Sequence, residues 1–391
     1  MDYDVSSDQI MDWGRDLRAV TERIAGPLFA RPEPRAAFAD LARGLLAEVP
    51  RKNSWQLADH VGHRSAQRLE WLLNGASWDA DKLRDAVRDY VVAGLGSDDG
   101  VLIADDTQVI KKGVKSVGVA PQHCGATGQT ENCQVMPMST YASDRGHAFI
   151  DRALYLPRCW TDDPARCAEA GVPADRGFAT KPQQVIAMLQ RAIAAGVPFR
   201  YFAADAGYGR DPALRAWCHD HTVAYVMAVP VDLPLLDARG RPTRPDTLLA
   251  GLDQTVWERR SCGEGTKGER CYDWTAVAVR VKNQPPSDGH AHTLLVRRSV
   301  SKPTEIEYFL AHAPQRTAVP ELIAVAGMRW KIEENNEQGK DLLGLGEYQV
   351  RKWTPWHRHV TCVMFAQAFL AVTRAGADLG KGHQPQEEPA C

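Results

Sequence analysis

Two aspartates and a glutamate stand where a fold can bring carboxylates together. Residues 101–104 read Val-Leu-Ile-Ala, an unbroken apolar strand that runs into Asp105-Asp106-Thr107. Residues 199–204 form a second short apolar strand, which runs into Asp205-Ala206-Gly207-Tyr208-Gly209. In a mixed sheet two such strand ends can lie side by side and set two carboxylates at one edge. Strand-end aspartate also commonly opens a turn, so a third group is needed to make a site. The segment from Arg329 to Lys340 offers one in Glu333. On a helix of about 100° per residue, Arg329 lies about 40° and Lys340 about 20° to one side of Glu333, while Glu337 lies about 40° to the other and Glu334 is turned about 100° away. That face reads either as a solvated ladder of i,i+4 ion pairs or as a metal-binding carboxylate flanked by cations that neutralise phosphate oxygens.

The elements that must hold these residues follow from periodicity. Up to about residue 95 apolar positions recur at helical spacing, in 10–24, 36–49 and 83–95, with breaks at Pro32-Glu33-Pro34 and Gly75. Asn53 and Ser54 can cap a short helix through Val61, and Ser65 can open another through Leu73. Two short helices around Gly62 resemble a helix-turn-helix. From Gly100 the period changes. Strand candidates at 101–104, 116–120 and 133–138 are followed by a helix at 182–195, a strand at 199–204, a helix at 212–221 and a strand at 223–229. Three strands and then alternating helix and strand indicate an α+β sheet with antiparallel and parallel parts, the order of ribonuclease-H-like domains. Frequent turns with strands at 257–260, 274–281 and 293–300 mark a β-rich insertion. One long helix over 319–343 and an apolar helix over 360–372 complete the chain. The expected organisation is a helical, DNA-binding part at 1–97, catalytic core at 98–229, insertion at 230–317, the last part of the core at 318–375 and a disordered tail at 376–391.

Composition bounds the function. With 44% hydrophobic and 25% charged residues in 391, and 31 Gly plus 24 Pro, the chain is neither disordered, collagenous nor a coiled coil. No membrane span or secretory signal is expected. The nine cysteines include no CxxC pair, so a cytoplasmic protein with reduced thiols is expected. Net charge is 47 − 49 = −2, so any nucleic-acid contact must come from local patches. Three patches qualify. Arg351, Lys352 and Arg358 interleave with Trp353 and Trp356, a pattern suited to DNA backbone and unstacked bases or, equally, to a core with solvated arginine. Lys111, Lys112 and Lys115 surround a hairpin-like turn, and Arg64 and Arg68 lie in the helix-turn-helix candidate. His357 and His359 lack zinc partners at finger spacing, and no glycine-rich nucleotide loop is present.

Apolar strand–Asp-x-Thr, apolar strand–Asp-Ala-Gly-Tyr-Gly and Arg-Trp-x-Ile-Glu-x6-Lys together resemble the DDE transposases of bacterial insertion sequences, in the branch with a β-strand insertion before the Glu. The stretch Ser116-Val117-Gly118-Val119, the residues Gln122, Gly125 and Gly128, and Asn132-Cys133-Gln134 are similar to that family, as are Gly344-Leu345-Gly346, Tyr348 and Val350-Arg351. Departures are Ala326 where relatives carry Tyr, Asn335-Asn336 where an apolar or aromatic residue is usual, and Gln129 in place of a basic residue. The resemblance implies that Asp105, Asp205 and Glu333 bind two Mg²⁺, with Mn²⁺ able to substitute, and that Arg329 and Lys340 clamp phosphates. It also implies a nucleoid-associated protein acting on double-stranded DNA, namely element terminal inverted repeats and target DNA, as a homodimer when DNA-bound. Adjacent residues of a strand point to opposite faces, so only one of Asp105 and Asp106 can face the metals; the family register favours Asp105. A domesticated DNA-binding relative without strand transfer, or a ribonuclease-H-fold enzyme of other chemistry, are the rival readings.

Overall fold

A computed structural model of the chain describes residues 7–265 and 268–380. One mixed sheet organises it. Strands β1 (Val101–Ile110), β2 (Ala120–Cys124), β3 (Gln129–Ser143) and β4 (Gly146–Arg152) come first, followed by β5 (Tyr201–Ala204) and β6 (Ala224–Val229). Antiparallel pairing joins β1 to β3 and β3 to β4, whereas β1–β5 and β5–β6 are parallel. The resulting order β4-β3-β1-β5-β6, with helices on the parallel connections, is the ribonuclease-H-like arrangement expected from the sequence.

The insertion does not build a separate sheet. Short β7 (Leu235–Leu236) and β8 (Pro242–Thr243) precede β9 (Glu258–Gly265), β10 (Gly268–Val281), β11 (His290–Ser299) and β12 (Ile306–Pro314). β12 pairs antiparallel with β6, Leu310 opposite Met227, so the insertion prolongs the core sheet in the order β6-β12-β11-β10.

Several boundaries differ from expectation. β1 continues through the acidic pair to Ile110, because β3 keeps pairing with it up to Cys133 while β5 stops opposite Ala104. Asp105 is therefore mid-strand, at the point where the parallel neighbour ends. The strand expected over 116–120 is a loop until Ala120. There Gly118 adopts φ +77°, and a Cβ would meet the Tyr155 carbonyl at 3.0 Å. Val117 N–H donates to the Arg351 carbonyl instead of to a strand neighbour.

Helices α1 (Ser7–Ile24), α2 (Pro32–Leu46), α3 (Ser54–His60), α4 (Gln67–Asn74) and α5 (Ala80–Leu95) precede the sheet. Asn53 caps α3 as its residue type predicts, accepting from the Trp55 and Gln56 amides. Between the strands lie α6 (Arg158–Thr161), α7 (Pro164–Glu169), α8 (Lys181–Ala194), α9 (Ala206–Gly209), α10 (Pro212–Asp220) and α11 (Pro245–Ala250). The single helix expected over 319–343 is two, α12 (Val319–Met328) and α13 (Trp330–Asp341), with Arg329 at the joint. Gly327 brings α12 against β9 so closely that a Cβ would lie 2.6 Å from the Cys262 carbonyl oxygen. The last helix, α14 (Trp353–Gly380), packs on α5, α2, α4 and β4, and the N-terminal helices share one apolar core with the sheet. Residues 376–380, expected in a tail, are helical; 381–391 lie outside the described residues. Residues 353–377 are long and apolar enough to cross a membrane, yet 61% of that window is buried inside the protein.

Candidate active site

Asp105, Asp205 and Glu333 line one cleft. They come from the middle of β1, the end of β5 and the first turns of α13, and the cleft of about 990 Å³ also takes in Lys181, Trp330, Asn336 and Lys340. A side hollow of about 470 Å³ is lined by the same three acids with Arg329.

Local sequence explains each placement. Asp205 ends β5 and caps the one-turn α9, its Oδ1 accepting from the Tyr208 amide at 3.1 Å. Asp105 Oδ1 accepts from the Asp106 amide at 2.7 Å, which leaves Oδ2 toward Arg329, 3.9 Å from its Nη1. Glu333 Oε1 meets Arg329 Nη2 at 2.7 Å, one helical turn away. Arg329 is only 16% exposed in its side chain, so this pair is no solvated surface ladder. Glu334, turned away as expected, is held by Lys331 at 3.0 Å and His147 at 3.1 Å. Against the opposing effect of burial, those two partners hold its carboxyl down at about 2.

Asp106 points elsewhere. One of its oxygens accepts from the Tyr208 hydroxyl at 2.5 Å and the other from the Lys181 ammonium. Both are thus engaged, whereas Asp105 keeps one oxygen toward the cleft.

Burial pushes the Asp105 carboxyl up to about 7, with repulsion from Asp205 adding to it. Among the described residues no three His, Cys, Asp or Glu side chains already converge closely enough to hold a metal ion. The donors nevertheless fit Mg²⁺ or Mn²⁺, because all are carboxylate oxygens. The anionic pair Asp105 and Asp205 is short of nearby positive charge, which a divalent cation would provide. Lys340 reaches the cleft half-buried, with its ammonium pKa lowered by desolvation, and no ion pair engages it among the described residues.

The remaining candidates divide. Arg351, Lys352, Lys112, Arg64 and Arg68 are exposed, and Lys115 is exposed while paired with Glu169 at 3.0 Å. Lys111 packs over the Tyr348 ring at 3.5 Å and donates to its carbonyl, and burial lowers its pKa to about 8. Trp353 is half-buried. Two expectations need correcting. Trp356 is fully buried and donates to the Tyr348 hydroxyl at 3.1 Å, and Arg358, 6% exposed, donates to the Leu73 and Trp78 carbonyls at 2.9 and 2.8 Å. Both side chains face inward because α14 is the core helix against which the N-terminal helices pack, so they tie that contact and are closed to DNA.

Sequence reasoning missed Lys181. A basic residue in the first turn of a helix opposes the helix dipole, and that anomaly was readable beside the Thr180–Gln183 capping box. It also missed the partners of Asn335. The Asn335 carbonyl oxygen Oδ1 lies 2.8 Å from His147 Nδ1 and accepts from Gln367 Nε2 at 3.1 Å.

The model of the DDE superfamily endonuclease family matches residues 26–286, more than half of the chain. The chain belongs to the DDE superfamily endonucleases. Over 176 residues this DDE superfamily member is 28% identical to a probable transposase for insertion sequence element IS701 of Microchaete diplosiphon. That match covers 45% of this chain and 43% of the relative, so the chain aligns with less than half of the relative's length. Among solved structures, a piggyBac transposase synaptic complex with hairpin DNA is similar over 92% of this chain and 69% of that one, with TM-score 0.48 and 10% identity.

Proposed function

We propose that this DDE superfamily member is a transposase that cleaves the ends of a mobile DNA element and joins them to target DNA. The observation that carries the reading is the meeting of Asp105, Asp205 and Glu333 in one cleft that also receives two cations, Arg329 and Lys340. Asp105, Asp205 and Glu333 would hold two Mg²⁺, or Mn²⁺ in their place. Bound there, such ions activate a water or 3′-hydroxyl and stabilise the leaving oxygen of an in-line displacement at phosphorus.

The chain's own residues do the rest. Arg329, placed between Asp105 and Glu333, offsets their charge until a phosphate arrives and then donates to its oxygens. Lys340 approaches from the far end of α13 with an unpaired ammonium. Exposed Arg351 and Lys352 contact duplex phosphates, as do Arg64 and Arg68 in the α3–α4 region, which assigns α1–α5 to DNA binding. Two element ends must be brought together, so a homodimer assembles on double-stranded DNA.

The test is cleavage of DNA that carries the sequences flanking the gene. It should require Mg²⁺ or Mn²⁺, and Asp105→Ala, Asp205→Ala and Glu333→Ala should each lose cleavage by orders of magnitude while still binding that DNA. Unaltered cleavage by Glu333→Ala, with Glu337→Ala inactive instead, would overturn the assignment of the third acid.

A further inference from the structure

Tyr208 is bonded to the acidic ends of two strands at once. Its backbone N–H donates to Asp205 Oδ1 at 3.1 Å, and its hydroxyl donates to Asp106 Oδ1 at 2.5 Å. The second Asp106 oxygen accepts from Lys181, the first residue of α8. A chain of contacts thus runs Lys181–Asp106–Tyr208–Asp205, from the head of α8 across β1 to the tip of β5.

The glycines around Tyr208 show how tightly this turn is set. A Cβ on Gly209 would lie 1.9 Å from the Ala228 carbonyl oxygen, so α9 presses directly on β6. A Cβ on Gly207 would lie 3.1 Å from Asp205 Oδ1, and the position beside the carboxylate stays clear without it. With a single turn of helix, α9 has little packing of its own to fix its rotation. Its buried tyrosine hydroxyl supplies an anchor, because a phenol and a carboxylate removed from water are costly to leave unpaired.

We propose that Asp106, Tyr208 and Lys181 are positioning residues that set the Asp205 carboxylate, and its separation from Asp105, for binding a divalent cation. None of the three is itself a ligand: Asp106 has both oxygens engaged, and it lies on the strand face opposite Asp105. Asp106 acts through Tyr208, and Lys181 acts by holding Asp106. This rests on the proposed metal-binding role of Asp105 and Asp205. Partners of this kind orient ligands, and their loss typically costs about 10–100-fold in metal affinity.

The test uses the full-length chain with Mn²⁺ alone and no DNA, with free Mn²⁺ read by electron paramagnetic resonance at a temperature where circular dichroism shows every variant folded. Tyr208→Phe, Asp106→Asn and Lys181→Met should each weaken Mn²⁺ binding by about tenfold or more without abolishing it. The pair Tyr208→Phe with Asp106→Asn should bind no more weakly than Asp106→Asn alone, since both break one relay. Tyr208→Phe preserves shape, so it carries the test should Asp106→Asn fail to fold. Wild-type affinity in Tyr208→Phe and Lys181→Met would overturn the proposal. So would an Asp106→Asn loss as complete as that of Asp105→Asn, which would make Asp106 a ligand. Mn²⁺ binding by the wild type that survives both Asp105→Asn and Asp205→Asn would instead overturn the metal site itself.

Discussion

Asn335 Nδ2 donates to Thr140 Oγ1 at 2.9 Å, and this buried bond moors the helix that carries Glu333 to the strand that pairs with Asp105. His147 and Gln367 complete the surroundings of the same side chain. Position 335 departs from the usual apolar choice of the resembled family, and the fold compensates with a set of polar partners drawn from β3, β4 and α14. An apolar residue there would strand those partners. Asn335→Leu should lower the unfolding free energy by about 2–4 kcal/mol, since each buried polar group left unpaired costs about 1–3. Urea unfolding followed by circular dichroism measures it. A loss below about 0.5 kcal/mol would show that the network contributes nothing net.

Arg329 and Lys340 should separate chemistry from stability. Removing a positioned cation beside developing phosphate charge costs about 100-fold or more in rate. Lys340 is half-buried without an ion-pair partner among the described residues, so Lys340→Ala should leave the melting temperature unchanged or raise it while cleavage falls. Arg329→Ala should also cripple cleavage, with a small stability change, because it exposes Glu333 and Asp105 to one another without a counter-ion. Cleavage assays and thermal melts on both variants check this. Near wild-type rates in both would return the pair to a purely structural role.

The basic stretch on α14 should split by burial. Arg351→Gln with Lys352→Gln should weaken DNA binding and reduce the slope of log affinity against log salt by roughly 0.9 for each lost phosphate contact. Arg358→Ala should leave that slope alone and instead cost about 2–3 kcal/mol of stability, through the stranded Leu73 and Trp78 carbonyls. Binding isotherms at several salt concentrations, alongside melts, distinguish the two effects.

Acid should unfold the protein through a buried histidine group. His219, His292 and His312 cluster where α10 and β6 meet β11 and β12, with His219 Nε2 3.2 Å from His292 Nε2. Burial lowers their pKa values to about 4, 3 and 3, and the neighbouring Arg215 and mutual repulsion lower them further; His290 faces the group and Asp220 weakly opposes the shift. The unfolded chain titrates near 6.5, so it binds more protons than the fold below that pH. Stability is therefore full above about pH 6.5 and declines as pH drops toward 4. His292→Phe should shrink that decline by about one proton, or ~1.4 kcal/mol per pH unit. Denaturant unfolding between pH 4 and 7 measures the slope, and an unchanged slope would exclude His292 from it.

Much of this was readable from the chain. Apolar runs ending in Asp105 and Asp205, and the 100° arithmetic around Glu333, located the cleft because strand alternation and helical pitch are local properties. What escaped was set by distant partners. β12 does not alternate cleanly, since it is buried between β6 and β11, and the extension of β1 to Ile110 depends on β3 rather than on its own residues. Arg358 and Trp356 read as DNA-facing because a basic, aromatic pattern is the same whether it meets phosphate or a backbone carbonyl. Lys181 is 75 residues from its carboxylate, beyond the reach of any local rule.

The seating of α14 among α2, α4 and α5 also bears on how the chain comes into being. Ribosomes release α5 some 270 residues before the helix that covers it. Throughout that interval the apolar faces of Leu83, Val87 and Val91 have no permanent cover, and closure needs one of the longest loops the chain can make. Nascent chains of this kind spend their synthesis exposed to aggregation and to chaperones. Messages cut short before Trp353 should therefore yield not a smaller nuclease but an insoluble product, so that competence arrives only with the last helix.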